Sequence, residues 1–220
     1  MNKYDAIVIG AGHNGLTNAA YLAKAGLKVA VLERNPYIGG ATVSRELHEG
    51  WYYSNCSYVC SLLRPEIARD LELPRHGLQV VPFGGGATFM RNGDHLGSYF
   101  DHDRFYREVA RHSKRDANAY DRYTADVTKQ TRLIRPFLMK TPPDPTSMRP
   151  RELLELANFA KGFLNMGEEG LADTIAFWTK SVADYLNEYF ETDVLKAHLG
   201  GSGIIGTALG VYSPGTAYVL

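Results

Sequence analysis

The sequence predicts an α/β protein in which a parallel strand–helix–strand unit comes first, followed by antiparallel strands and then mainly helices. Three observations predict this order. Residues 6–33 contain two apolar runs that flank a glycine turn and an alanine-rich helical segment. Residues 78–100 contain short β-branched runs with an Asn-Gly turn, and residues from 101 onward are dominated by helical periodicity.

Composition narrows the function class. The chain has 220 residues, 45% hydrophobic and 22% charged, which is typical of a folded protein. Its 24 basic residues are balanced by 24 acidic ones, and a chain that binds phosphate backbones usually has a basic excess. Nucleic acid is therefore excluded as the main partner. No apolar run reaches the ~20 residues that span a bilayer. The N-terminus enters a strand at once, which predicts a cytoplasmic protein without a targeting segment.

The N-terminal segment is predicted to contain a strand, a turn, a helix and a second strand, in that order. Ala6–Ile9 and Lys28–Glu33 have the β-branched, apolar character of strands buried on both faces. Between them, a helix is predicted from about Asn14 to Lys24, ended by Gly26. The crossover rule makes the two strands parallel and the connection right-handed. This is a βαβ unit.

The glycines at the first turn predict a dinucleotide site. In Gly10-x-Gly12-x-x-Gly15, the first glycine allows the tight turn, the second lets a diphosphate approach the backbone, and the third lets the helix pack on the strand. The helix N-terminus adds N–H groups and a positive dipole end. Glu33 follows Gly15 by eighteen residues, near the spacing of the acid that binds a ribose hydroxyl, and it disfavours the 2′-phosphate of NADP. The unit is predicted to be Rossmann-like.

A second glycine pair, Gly39-Gly40, follows soon after the acid and is not needed for NAD. It resembles the diglycine segment of the glutathione-reductase-like superfamily of flavoproteins, in which that segment passes close to the flavin diphosphate. The resemblance implies FAD as the cofactor.

Three segments resemble the phytoene desaturase-like NAD(P)/FAD-dependent oxidoreductases, and most of all the pyridine nucleotide-disulfide oxidoreductase domain-containing protein 2 subgroup: residues 11–16 (AGHNGL), 32–34 (LER) and 38–41 (IGGA). The resemblance implies an FAD-dependent oxidoreductase that removes hydride from a small-molecule substrate. The cofactor-binding residues that the motifs predict are Gly10, Gly12, His13, Asn14, Gly15, Glu33, Arg34, Gly39, Gly40 and Ala41. Tyr37 and Ala41 stand where many relatives have a charged residue and an arginine, so Arg34 is the cation nearest these motifs.

The two cysteines, Cys56 and Cys60, are predicted to be buried free thiols and not a redox disulfide. Three residues separate them, and they begin sixteen positions after Gly40. Disulfide reductases of similar fold have four residues between their cysteines, which almost immediately follow the diglycine. Two cysteines also exclude a four-cysteine zinc site, and the histidines show no metal-ligand spacing. No metal site is predicted.

The whole chain is predicted to divide into two domains. Residues 1–73 form an FAD-binding domain, and residues 74–220 form a partial, mainly helical α+β substrate domain. The strands predicted in the second domain are 78–83, 87–90 and 96–100, with a hairpin turn at Asn92-Gly93. The helices predicted are 65–73, 101–140 with a break near Ser113, 152–165, and 182–190 capped by Ser181.

Two apolar features have more than one interpretation. Trp51-Tyr52-Tyr53 is interpreted as interdomain packing, with a flavin or substrate pocket as the alternative. Helix 152–165 has a broad apolar face, interpreted as ordinary core packing, with a substrate lid or a peripheral membrane contact as alternatives. The apolar helices favour a lipophilic substrate.

No catalytic residue is discernible, as is usual where a flavin performs the hydride chemistry. Two other functions stay open: a non-catalytic nucleotide- or partner-binding protein that keeps the fold, and an NAD-dependent dehydrogenase. Relatives of this family are longer and complete the FAD domain with a C-terminal portion, and no second parallel run occurs here. The sequence therefore predicts an N-terminal portion whose missing part comes from a further segment or from a homo-oligomer.

Overall fold

The computed structural model describes residues 3–54, 56–57 and 59–220 and divides the chain into two compact units. Unit 1 is Met1–Pro82 and unit 2 is Phe83–Leu220. The sequence places the domain boundary near Leu73-Pro74, and that boundary stays a prediction.

Unit 1 opens with the βαβ unit. Strand β1 (Ala6–Ile9) pairs in parallel with β2 (Val29–Leu32), and helix α1 (His13–Lys24) connects them. Gly26 has φ +91°, a left-handed conformation that ends the helix as predicted. The strands are not buried on both faces: the Ile9 side chain is 86% exposed, because within the described residues this sheet has only two strands. The prediction of doubly buried strands was wrong.

A hairpin that the sequence analysis missed follows. Strand β3 (Ser44–His48) pairs antiparallel with β4 (Trp51–Ser54) around Gly50, whose φ is +76°. Every residue of both strands is exposed, so no inside–outside alternation marked them. The Trp51-Tyr52-Tyr53 patch lies on β4 and is exposed within unit 1. Helix α2 (Pro65–Asp70) begins at a proline, as predicted.

The cysteine prediction was confirmed for the free thiols and wrong for their burial. Cys56 and Cys60 are both free, as expected, but both are exposed. Tyr58, which lies between them, is outside the described residues.

Unit 2 begins with a hairpin and continues as helices. Strand β5 (Gly85–Phe89) pairs with β6 (His95–Tyr99) around the predicted Asn92-Gly93 turn. The strand predicted at 78–83 is absent from the described structure, since Pro82 lacks an N–H and no described strand pairs with this segment. The helices are α3 (His102–His112), α4 (Lys114–Ile134), α5 (Pro150–Leu164), α6 (Gly167–Thr179), α7 (Val182–Asn187) and α8 (Asp193–Gly200).

Two predicted caps explain where helices begin. The Ser113 side chain accepts a hydrogen bond from the Asp116 N–H, which separates α3 from α4. Ser181 does the same for the Asp184 N–H at the start of α7. Helix α7 is shorter than predicted, ending at Asn187 instead of residue 190.

One hydrophobic core lies in unit 2. Its buried members come from β6, from α3, α4, α6, α7 and α8, from the segment after α7 and from the 3-10 turn Thr216–Val219: Leu96, Phe105, Val109, Ala117, Tyr123, Phe177, Val182, Tyr185, Leu186, Phe190, Leu195 and Ala217. Helix α5 contributes no buried residue, and its Leu154 side chain is 63% exposed. The core-packing interpretation of that helix was wrong for this chain. No helix within the described residues is long and apolar enough to cross a membrane.

Candidate dinucleotide-binding site

The site is built on the turn between β1 and α1. Gly10 has φ +98°, and its N–H donates to the Leu32 carbonyl at 2.7 Å, which ties the turn to the end of β2. A Cβ on Gly15 would collide with the Gly10 carbonyl oxygen. Gly10 thus makes the turn and Gly15 lets α1 approach it, the two roles that the spacing predicted.

Gly12 has a different role. It is the N-cap of α1 with an extended backbone (φ −73°, ψ 171°), and a Cβ built on it would meet only the Gly40 Cα, at 3.9 Å. A methyl at Gly12 therefore fits the protein itself but fills open space at the start of the helix. That open space is the position that the glycine motif predicts for a diphosphate.

The start of α1 is available to an anion. Within the described residues of this helix, no side chain caps the N-terminus and the first turn carries no acid. His13 and Asn14, the first two helical residues, are both exposed. A positive dipole end with no acid in the first turn of the helix suits a diphosphate.

The diglycine segment lies beside this turn. The Gly39 N–H donates to the Ala11 carbonyl at 2.8 Å, and Gly12 and Gly39 form an isolated parallel bridge. A Cβ on Gly40 would lie 3.0 Å from the Gly12 Cα. Gly39 and Gly40 have φ of +115° and +59°, so this close approach needs glycine at both positions.

Glu33 joins the two glycine segments. Its Oε2 accepts the Ala11 N–H at 2.7 Å, and its Oε1 accepts the Asn35 N–H and Nδ2–H, each at 2.9 Å. The N–H groups of Asn35 and Ala11 hold the pKa of the Glu33 carboxyl below its usual range. Glu33 is therefore an ionised acceptor at neutral pH.

The structure brings together most of the predicted site residues. Gly10, Gly12, Gly15, Glu33 and the diglycine are joined by the contacts above. Arg34 and Ala41 are exposed, and the Arg34 side chain makes no hydrogen bond into the turn among the described residues. Arg45 on β3 is a second nearby cation, with its guanidinium 5.5 Å from the Tyr37 ring centre.

Two contributors were missed by the sequence analysis: the Ala11 backbone and Asn35. Ala11 is 1% exposed and uses both its N–H and its carbonyl in the site. Its side chain carries no signal for that role. The available signal for Asn35 was an asparagine two residues after Glu33, the acid of the dinucleotide motif.

A family model described as an NAD(P)-binding Rossmann-like domain matches residues 8–69. This span includes every predicted cofactor-binding residue. Residues 8–69 form a Rossmann-like domain. The Rossmann-like domain thus covers β1 to α2, except for the first two residues of β1 and Asp70 at the end of α2.

Longer similarities extend beyond the Rossmann-like domain. Pyridine nucleotide-disulfide oxidoreductase domain-containing protein 2 of Mus musculus is 36% identical over 232 residues, which cover 99% of this chain and 40% of that protein. A phytoene desaturase of Fusarium fujikuroi is 58% identical over 104 residues, covering 42% of this chain and 18% of the relative. The predicted resemblance is confirmed. The chain spans about 40% of the length of the first of these relatives.

Among solved structures, a wild-type putrescine oxidase bound to putrescine covers 98% of this chain and 40% of its own, with a TM-score of 0.53. At 18% identity this similarity concerns the fold alone. It agrees with the predicted α/β class.

Outside the Rossmann-like domain, unit 2 has an aromatic cleft beside α5 and α6. Two adjoining clefts of about 390 and 460 Å³ share Phe159 and Trp178 as lining residues. The rings of Phe163 and Trp178 meet edge to face, with centres 5.7 Å apart. Within the described residues, no group of histidine, cysteine or acidic side chains has the arrangement of a metal site.

Proposed function

We propose that this chain binds the ADP moiety of FAD and acts as part of an FAD-dependent oxidoreductase. The observation that carries the proposal is the contact of the diglycine segment with the first glycine turn, through Gly39 to Ala11 and Gly40 to Gly12. Bound FAD supplies hydride acceptance. The residues of this chain bind and orient the nucleotide: the start of α1 receives the diphosphate and Glu33 accepts a ribose hydroxyl.

FAD is favoured over NAD because of the second glycine pair, Gly39-Gly40. This pair lies against Gly12, and NAD binding does not need a second glycine pair. Glu33 opposes NADP, since an ionised carboxylate repels a 2′-phosphate. The similarity to phytoene desaturase points in the same direction.

Gly12→Ala tests the nucleotide site with little disturbance of the fold. The added methyl occupies the diphosphate position, so we expect ADP and FAD affinities to fall at least about tenfold, or about 1.4 kcal/mol. Calorimetric titration of the 220-residue chain measures this, with circular dichroism as the folding check. Gly84→Ala is the matched control, because a Cβ there meets nothing within 4 Å and the backbone φ is not left-handed. Equal affinity in wild type and Gly12→Ala would refute the site.

The ligand panel separates the rival functions. An NAD-dependent dehydrogenase predicts a colourless protein whose melting temperature rises with NAD and not with FAD. Flavin absorption bands that dithionite bleaches show bound flavin in either remaining case. A non-catalytic binder predicts that no substrate reduces this flavin, and an oxidoreductase predicts that a substrate does.

We further propose an apolar substrate. The support is the aromatic cleft of unit 2, whose lining includes Phe159, Phe163 and Trp178 and whose size and apolar character suit a hydrocarbon-like ligand. Helix α5, which forms one wall, keeps Leu154 and Leu164 exposed.

Naphthalene serves as an apolar probe of this cleft. The chain has two tryptophans, so Trp51→Phe leaves Trp178 as the single fluorophore of that type. We expect naphthalene to change Trp178 emission in a saturable manner, and Phe159→Ala to weaken the response severalfold. Phe100→Ala is the control, since Phe100 is 74% exposed and does not line the cleft. A response that does not saturate, or that Phe159→Ala leaves unchanged, contradicts an apolar site here.

A further inference from the structure

Asn35 contacts Glu33 in a way that the dinucleotide motif does not require. Its backbone N–H and its side-chain Nδ2–H both donate to the same carboxylate oxygen, Oε1, at 2.9 Å. Pro36 follows Asn35 and disfavours the helical backbone region at that residue.

The contact decides which oxygen of Glu33 remains available. A carboxylate offers about four acceptor positions, two on each oxygen. Asn35 occupies two of them on Oε1, and the Ala11 N–H occupies one on Oε2. The remaining capacity lies on Oε2, the oxygen beside the first glycine turn.

We infer that Asn35 is a positioning residue that fixes the Glu33 carboxylate so that Oε2 accepts the ribose 2′-hydroxyl. The inference rests on the proposed function and deepens it by naming the oxygen used and the residue that selects it. Because the carboxylate is oriented before the nucleotide arrives, binding does not need to order it. Asn35 does not contact the ribose.

Comparing ADP with 2′-deoxy-ADP isolates this role. In the wild-type chain, ADP should bind more tightly, since only ADP offers the hydroxyl to Oε2. Asn35→Ala removes the Nδ2 donor while keeping the N–H. We expect about a three- to tenfold loss of ADP affinity and no loss of 2′-deoxy-ADP affinity. The ratio of the two affinities, measured by calorimetry on the full chain, should therefore approach one.

Asn35→Ser should retain part of the preference for ADP over 2′-deoxy-ADP that Asn35→Ala loses, because a hydroxyl at this position also donates to Oε1. Asn18→Ala is the matched control: Asn18 lies on α1, is exposed and makes no described side-chain hydrogen bond. It should leave both affinities unchanged.

A pH titration gives a second readout. Loss of the Nδ2 donor raises the pKa of Glu33, and the ionised carboxylate is the form that accepts the ribose hydroxyl. As the pH falls, ADP affinity should therefore decline at a higher pH in Asn35→Ala than in wild type.

The outcomes separate the two proposals. If the wild type binds no ADP, the proposed function fails and the inference fails with it. If the wild type binds ADP in a Gly12-dependent manner but Asn35→Ala weakens ADP and 2′-deoxy-ADP equally, Asn35 has only a structural role and the inference alone is overturned.

Discussion

Among the described residues, unit 1 buries two hydrophobic side chains, Ala11 and Ala19, whereas unit 2 buries twelve. Unit 1 instead joins its segments by hydrogen bonds between Ala11 in the turn after β1, the Glu33 carboxylate and Gly39 of the diglycine. Unit 2 also buries a carboxylate, Asp116, which accepts hydrogen bonds from the N–H groups of Glu191 and Thr192 at 2.8 and 2.9 Å. The comparison teaches that the nucleotide site is shaped by local backbone geometry, while the helical unit depends on a packed core.

The largest effect is expected from the core of unit 2. Leu195 in α8 is 0% exposed, so Leu195→Ala should lower the free energy of unfolding by about 2–5 kcal/mol. Leu154→Ala, the same change on the exposed face of α5, should cost less than about 0.5 kcal/mol. Denaturant unfolding measures both. The ADP affinity of the folded Leu195→Ala protein should match wild type, and a loss there would show that the site depends on this core.

A smaller effect is expected from the turn of unit 1. Gly15→Ala places a Cβ against the Gly10 carbonyl oxygen, so either the turn or α1 must shift, at a cost of about 1–3 kcal/mol. Gly12→Ala should cost less stability, because its methyl meets only the Gly40 Cα at 3.9 Å. Hydrogen exchange of the β1 and α1 amides measures the difference. If these amides exchange equally fast in both variants, then Gly15 and Gly12 do not have the separate roles assigned to them, helix packing and ligand binding.

Some predictions succeeded because their signals are local. Each of these features depends on residues within a few positions of one another: the glycine turn into α1, the roles of Gly10 and Gly15, the Asn92-Gly93 turn and the caps at Ser113 and Ser181. Backbone conformation and short-range hydrogen bonds determine such features, and the sequence contains both.

Other predictions failed because their outcome depends on what covers a segment. Ile9 is a residue type typical of buried strands, and Leu154 is a residue type typical of core helices. Both are nevertheless exposed. The β3–β4 hairpin has no buried face and so produced no alternation. Hydrophobic patterning reports a tendency to be buried, and only the neighbouring elements decide whether burial occurs.

The sequence by itself determined the dinucleotide motif, its acid and the second glycine pair, because these residue types act through their own backbone freedom or charge. Only the tertiary structure decided that Gly39 and Gly40 lie against Ala11 and Gly12, and that Asn35 and Ala11 share the Glu33 carboxylate. Residues 11 and 33 are twenty-two positions apart, and the distance between their atoms is set by the parallel pairing of β1 with β2. No local preference encodes such a distance.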